Sequence, residues 1–145
     1  MQKLDTLATD FGKSFMRMHR LFDRRLGKCG ASLARTKLLM FVDREGPARA
    51  IDIVEYFGHS PRTVTEALDG LERDGLVRRD PDPADRRVKR VSVTEEGRRA
   101  IAATEPLRLR LVERVFGVLD DEDRQCLAKI LRKLAISLEN EEREP

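Results

Sequence analysis

The stretch from residue 60 to residue 97, SPRTVTEALDGLERDGLVRRDPDPADRRVKRVSVTEEG, decides the fold of this 145-residue chain. It opens with helix-start signals, because the Ser60 hydroxyl can cap a first turn and Pro61 fits the first helical position, where no N–H is needed. Gly75 can adopt the left-handed conformation that ends a helix. Apolar residues recur at steps that place them on one helix face, namely Val64, Leu68 and Leu71.

The polar face of this predicted helix has the composition of a surface that reads nucleic acid. It carries short hydroxyls and an Arg near the helix start, which suit base edges and phosphates. Glu66 departs from the pattern, because a carboxylate repels the phosphate backbone. Two interpretations of Glu66 stay open: it accepts a hydrogen bond from a cytosine amino group, or it positions Arg62 one turn earlier.

The residues before Ser60 predict a shorter helix and a tight turn. Pro47 marks the start of this helix, and Gly58 and His59 supply the turn into Ser60. Its predicted apolar face consists of Ala50, Ile51, Val54 and Phe57. Two helices joined in this way form a helix-turn-helix, although an ordinary helical hairpin has the same pattern.

After Gly75 the apolar period changes to two residues, which predicts two strands around a turn. Val77 lies in the first strand, and Val91 and Val93 lie in the second. The turn, DPDPADRR at residues 80–87, ends in a basic cluster. A solvated loop is its simplest interpretation. Directly after a recognition-type helix, however, it fits the wing of a winged helix-turn-helix, which inserts Arg into a narrow minor groove.

On these residues the chain resembles the MarR family of bacterial transcription regulators. Two motifs carry the resemblance: residues 60–79, and DPADRR-x5-VT-x2-G at residues 82–97. The resemblance implies that Arg87 enters the minor groove and that Asp85 braces it by a charge-assisted hydrogen bond. The predicted contacts to double-stranded DNA are Ser60, Pro61, Arg62, Thr63, Thr65, Glu66, Asp85, Arg86, Arg87 and Lys89.

The predicted fold is mainly α (α+β), with a winged helix-turn-helix at residues 32–97 and a helical dimerisation region at residues 1–31 and 98–145. The first helix and the last two helices carry apolar stripes, and one of these helices contains Pro106, which is expected to bend or break it. Asp120 or Asp121 caps the last helix. A small winged helix cannot cover three such stripes. A monomeric bundle is one alternative, but a two-fold homodimer is favoured because paired recognition helices read a palindrome.

Composition bounds the function classes. The net charge is only +3, from 29 Lys and Arg against 26 Asp and Glu, so the basic residues form a local footprint. The sequence has no apolar run of membrane-spanning length and no signal-peptide core, which predicts a cytoplasmic protein. It has no phosphate loop, nucleophile elbow or zinc-protease motif, so neither an enzyme nor a cofactor is predicted. A winged helix that binds protein instead of DNA stays open.

The family resemblance also implies regulation, as a repressor that responds to a small aromatic or anionic effector. The cysteines open an alternative, a redox-sensing regulator that uses Cys29 and Cys126, although cytoplasmic cysteines normally stay reduced. The spacing of Cys and His predicts no metal site. Each effector candidate also has an ordinary core or surface interpretation; the candidates are Phe15, Arg17, His19, Met40, Phe41 and Phe116.

Overall fold

The computed structural model describes residues 2–28 and 32–144. Within these residues the chain forms six helices and one antiparallel pair of strands, which confirms the predicted mainly α fold. The elements are α1 (Leu4–Gly27), α2 (Leu33–Glu45), α3 (Ala50–Phe57), α4 (Pro61–Arg73), β1 (Val77–Pro81), β2 (Lys89–Val93), α5 (Glu95–Phe116) and α6 (Asp121–Arg143).

Two compact units divide between Arg108 and Leu109, inside α5. The first unit contains α1 to α4, the two strands and the beginning of α5. The assignment of residues 32–97 to DNA binding and of residues 1–31 and 98–145 to dimerisation stays a prediction.

The core of the first unit is built from α2, α3, α4 and the two strands. Leu68 and Leu71 of α4 are at most 2% exposed and belong to the same apolar cluster as Ile53 of α3. The predicted face of α3 was wrong at Ala50 and Ile51, because both are exposed, Ile51 at 47%, whereas Ile53 is 1% exposed. Residues three apart on a helix differ in direction by about 60°, so Ile51, Val54 and Phe57 do not all point the same way. Ile51 therefore points away from the buried face.

The start and the end of α4 follow the sequence signals. The Ser60 side chain accepts the backbone N–H of Thr63 at 3.1 Å, and Pro61 occupies the first helical position. Gly75 has a φ of +73°, and the N–H of Leu76 returns to the carbonyl oxygen of Leu71 at 2.9 Å. This 6→1 hydrogen bond ends the helix and directs the chain into β1.

The predicted hairpin is confirmed, with Val77 opposite Val93 and Pro81 opposite Lys89. Ala48, just before α3, extends the sheet by two backbone hydrogen bonds to Val91. All three valines of the strands face the core, because Val77, Val91 and Val93 are at most 7% exposed. Arg78, Asp80 and Ser92 alternate with these valines or lie opposite each other, so they are on the other face of the hairpin.

The VT-x2-G motif has a packing reason. The Thr94 hydroxyl donates to the carbonyl oxygen of Gly75 at 2.6 Å and accepts the N–H of Gly97 at 3.1 Å. A Cβ at Gly97 would lie 2.1 Å from the carbonyl oxygen of Leu76. Only Gly therefore permits α5 to begin directly against the start of the wing.

The end helices leave apolar side chains uncovered. α6 begins at an Asp120 cap, which accepts the N–H of Asp123 at 2.9 Å, and no residue of α6 is buried. α5 runs through Pro106 without ending there.

No helix of the described chain is long and apolar enough to cross a membrane. The exposed apolar side chains of α1 and α6 include Leu4, Leu7, Phe11, Phe15, Met16, Ile130, Leu131, Leu134, Ile136 and Leu138.

Candidate nucleic-acid interface

The outer face at the start of α4 presents polar side chains to solvent. The hydroxyls of Ser60 and Thr63 lie 2.9 Å apart, and Pro61 opens the helix beside them. The positive end of the helix dipole makes this end suitable for a phosphate. All six predicted contacts on this helix are exposed: Ser60, Pro61, Arg62, Thr63, Thr65 and Glu66.

Glu66 forms an ion pair with Arg62 along this outer face. The Nε of Arg62 donates to Oε1 of Glu66 at 2.9 Å. Of the two interpretations that the sequence leaves open, this geometry matches the one in which Glu66 positions Arg62.

The wing tip carries the second set of predicted contacts. Nε of Arg87 lies 3.2 Å from Oδ1 of Asp85, and the backbone N–H of Arg87 donates to the same oxygen at 3.1 Å. The Arg87 side chain is nonetheless 90% exposed. Arg86 and Lys89 are also exposed and have no ion-pair partner among the described residues. The wing therefore offers one braced guanidinium and two unpaired cations.

Asp82 organises the base of this tip, which sequence reasoning missed. Its carboxylate accepts the N–H of Ala84 at 2.7 Å and pairs with the Arg90 guanidinium. Its backbone N–H donates to the carbonyl oxygen of Val88 at 2.8 Å. The Ala84 N–H and then the Arg90 guanidinium stabilise the anion and lower the pKa of Asp82 below its ordinary value. The only available sequence signal was the Asx-turn chemistry of Asp-Pro.

Arg79 links the wing to the recognition helix. Its Nη1 lies 2.7 Å from Oδ1 of Asp69 and 3.2 Å from Oε2 of Glu72, both on α4. The Arg79 side chain is 22% exposed, so this contact is better shielded than the surface pairs. This link was not predicted from the sequence, because the partners lie on different elements. Through it, β1 holds the wing in a defined relation to α4.

The predicted effector residues do not form one site. Phe15 and His19, with ring centroids 6.3 Å apart, line a groove of about 560 Å³ in the first unit. Arg17 and Arg24 line a separate depression on α1. Sequence reasoning missed most of the residues that complete the groove, which include Lys37, Tyr56, Phe57, His59, Thr63 and Val64.

Three other effector candidates have different surroundings. Phe41 is 6% exposed, and its ring centroid lies 4.5 Å from that of Tyr56, so Phe41 is a core residue that packs against Tyr56. Met40 is half-buried in α2. Phe116 is 36% exposed and belongs to the second unit. Whether any of the six contacts an effector stays a prediction.

The cysteine alternative is only partly visible in the structure. Cys29 lies outside the described residues, and Cys126 is an exposed free thiol on α6. Among the residues that the structure describes, no group of three or more His, Cys, Asp or Glu side chains is placed to hold a metal ion.

Comparisons with known proteins agree with this geometry. A sequence model of the MarR family matches residues 32–89. The HTH-type transcriptional regulator YfiV of Bacillus subtilis (strain 168) is 30% identical over 117 residues, which cover 81% of this chain and 73% of YfiV. The crystal structure of the transcriptional regulator BldR from Sulfolobus solfataricus is 29% identical, with a TM-score of 0.77 and coverage of 92% of this chain and 99% of BldR.

A third similarity concerns the fold alone. The structure of the S. aureus MepR-DNA complex has a TM-score of 0.77 at 20% identity and covers 94% of this chain and 99% of MepR. Members of the matched family are transcriptional regulators and not enzymes. This chain therefore belongs to the MarR family of transcriptional regulators and has a DNA-binding winged helix, as its family match, its similarity to YfiV and the arrangement of α2–α4 and the hairpin together indicate.

Proposed function

We propose that this regulator is a homodimeric repressor that binds a pseudo-palindromic operator and releases it when a small effector binds. The observation that carries the proposal is the pair of exposed guanidiniums on α4 and on the wing tip, each held by a neighbouring carboxylate. Arg62 is 89% exposed beside Glu66, and Arg87 is 90% exposed beside Asp85. Preorganised Arg donors on a recognition helix and a wing suit the two grooves of DNA.

The groove assignment follows from the shape of each element. α4 would lie in the major groove, with Arg62, Thr63 and Thr65 facing base edges and the helix start facing a phosphate. The hairpin tip would place Arg87 in the adjacent minor groove, while Arg86 and Lys89 neutralise phosphates. The similarity of fold to MepR, which was solved with DNA, supports this arrangement.

Dimerisation is supported by the uncovered apolar side chains at both ends of the chain. Leu131 and Leu134 of α6 are more than 40% exposed, and Leu7 and Phe11 of α1 are more than 50% exposed. Apolar side chains of this kind are costly to leave in water. A second copy would cover the stripes of both helices and would place two recognition helices about one DNA turn apart, which is the spacing that an inverted repeat requires.

Effector response is supported by the groove that Phe15 and His19 line. A volume of about 560 Å³ suits a small molecule. Aromatic walls and the Lys37 ammonium would receive an aromatic anion. The groove is also lined by Thr63 and Val64 of α4, so a bound molecule would act directly on the recognition helix.

The proposal is tested by selecting DNA from a random duplex pool with the full chain, followed by fluorescence anisotropy over a salt series. We expect enrichment of an inverted repeat and a binding constant that falls steeply with salt, because phosphate contacts release counterions. Failure of the reduced protein to enrich any sequence would contradict the proposal. Removal of the wing tip should abolish DNA binding, whereas a winged helix that binds only protein would tolerate it.

A further inference from the structure

The ion pair between Arg62 and Glu66 runs against the rules that stabilise an isolated helix. Arg62 lies in the first turn of α4, where the helix dipole favours negative charge. An i,i+4 pair with the cation on the N-terminal side is also the less favourable order. α6 follows the ordinary rule, with Asp121, Glu122 and Asp123 in its first turn. Departures of this kind are expected at functional positions.

The hydrogen bond uses only one part of the guanidinium. Nε of Arg62 donates to Oε1 of Glu66 at 2.9 Å, and within the described chain Nη1 and Nη2 have no protein partner. On the helix, Arg62 and Glu66 lie on the side opposite the buried Val64. The two terminal nitrogens are therefore free to donate outward, side by side, from a guanidinium whose rotation is restrained.

We infer that Arg62 reads a guanine in each operator half-site and that Glu66 is the positioning residue that orients its guanidinium. This inference rests on the proposed function. Guanine presents two adjacent acceptors, O6 and N7, in the major groove, whereas adenine pairs one acceptor with a donor. Two parallel N–H donors therefore match guanine and no other base. The Glu66 carboxylate weakens the attraction of the protein to every DNA phosphate, but it increases the preference of Arg62 for guanine over other bases.

The alternative role of Glu66 is direct acceptance from the amino group of cytosine. The two roles differ in their dependence on Arg62. A positioning residue acts through the guanidinium, so its effect on base preference vanishes when Arg62 is removed. A direct contact to cytosine keeps its effect in that background.

The experiment measures the affinity of the selected operator and of variants with single base-pair changes in each half-site. The proteins are the wild type, Arg62→Ala, Glu66→Gln and the double variant, at one fixed salt concentration. We expect the wild type to prefer G·C at one position of each half-site by about 10- to 100-fold. Arg62→Ala should remove this preference, and Glu66→Gln should reduce it severalfold while it raises affinity for unrelated DNA. Glu66→Gln should change the preference no further once Arg62 is absent.

The inference is overturned if Arg62→Ala leaves the base preference unchanged at every position. It is also overturned if Glu66→Gln reduces the preference equally with and without Arg62, because Glu66 then contacts cytosine itself. Both side chains are exposed, so these variants should fold. Arg124→Ala, which removes an exposed Arg with an i,i+3 partner on α6, is the matched control. If the wild type enriches no sequence, the proposed function fails; if it enriches one without a guanine that depends on Arg62, only this inference fails.

Discussion

α4 and α6 are both amphipathic helices with a side-chain cap, yet they differ in what covers their apolar stripes. Ser60 caps α4, and its Val64 and Leu71 are at most 3% exposed. Asp120 caps α6, and its Leu134 is 44% exposed, with no residue of the helix buried. The local pattern therefore specifies a helix in both cases, whereas its surroundings decide whether the apolar stripe is covered.

The two helices also present different chemistry to solvent. The exposed side of α4 is polar and carries the Arg62–Glu66 pair, which suits the reading of DNA. The exposed side of α6 includes Ile130 and Leu138, which suits association with another apolar surface. Burial of the α4 stripe stabilises the fold of the single chain. The α6 stripe would contribute free energy only when another surface covers it.

The largest effect is expected from a charge placed in the uncovered stripe. Leu134→Asp should weaken association of two chains by about 3–5 kcal/mol, because a buried carboxylate would have no partner. Light scattering coupled to size exclusion should then report the mass of one chain, and operator affinity should fall. Lys133→Asp, at the neighbouring polar position, should leave the mass of the dimer unchanged. A dimeric Leu134→Asp protein would show that α6 is not the dimer interface.

A substitution in a buried apolar face should instead change the stability of the single chain. Ile53→Ala on α3 should lower the free energy of unfolding by about 2–5 kcal/mol, because it opens a cavity in the core. Urea denaturation followed by circular dichroism measures this change. Ile51→Ala, in the same helix at a 47% exposed position, should stay within about 0.5 kcal/mol. Equal losses at the two positions would contradict the burial of α3.

The wing should respond through DNA affinity alone. Arg87→Ala should weaken operator binding by about 1–3 kcal/mol, since it removes a groove contact. Anisotropy at fixed salt measures the affinity, and the thermal unfolding curve should not change because the side chain is 90% exposed. Binding as tight as that of the wild type would refute the wing assignment for Arg87.

The smallest effect is expected from acid at the base of the wing. The pKa of Asp82 is lowered in the folded chain by the Ala84 N–H and the Arg90 guanidinium, so its ionised form stabilises the fold. This contribution is complete above the ordinary Asp pKa of about 3.9 and is lost as the pH falls through the lower folded value. Urea midpoints of the wild type and of Asp82→Asn should differ at pH 6 and converge toward pH 3. A difference that does not depend on pH would rule out the Asp82 carboxylate as its source.

Local chemistry explains which elements were predictable. The Ser60 cap, the left-handed Gly75 and the valines of the hairpin act over a few residues, so the sequence predicted α4 and the wing. The Asp85–Arg87 pair was predicted from the spacing of the two residues and by family resemblance, and its geometry is present. Ile51 was misplaced because apolar side chains occupy almost every side of the eight-residue α3, so their spacing does not single out one face. The contacts of Arg79 with Asp69 and Glu72 join β1 to α4, and no spacing pattern in the sequence predicts them.

The sequence by itself determined the helices, their caps, the hairpin and the charged tip of the wing, because propensity, capping and periodicity are properties of neighbouring residues. Only the tertiary structure decided which stripes are covered, how Arg79 joins the wing to α4, and that Phe15 and His19 share a groove with Thr63 of the recognition helix. Those features depend on the packing of distant elements. The physical reason is that burial and ion pairing are set by distance in space, which the linear order of residues does not encode.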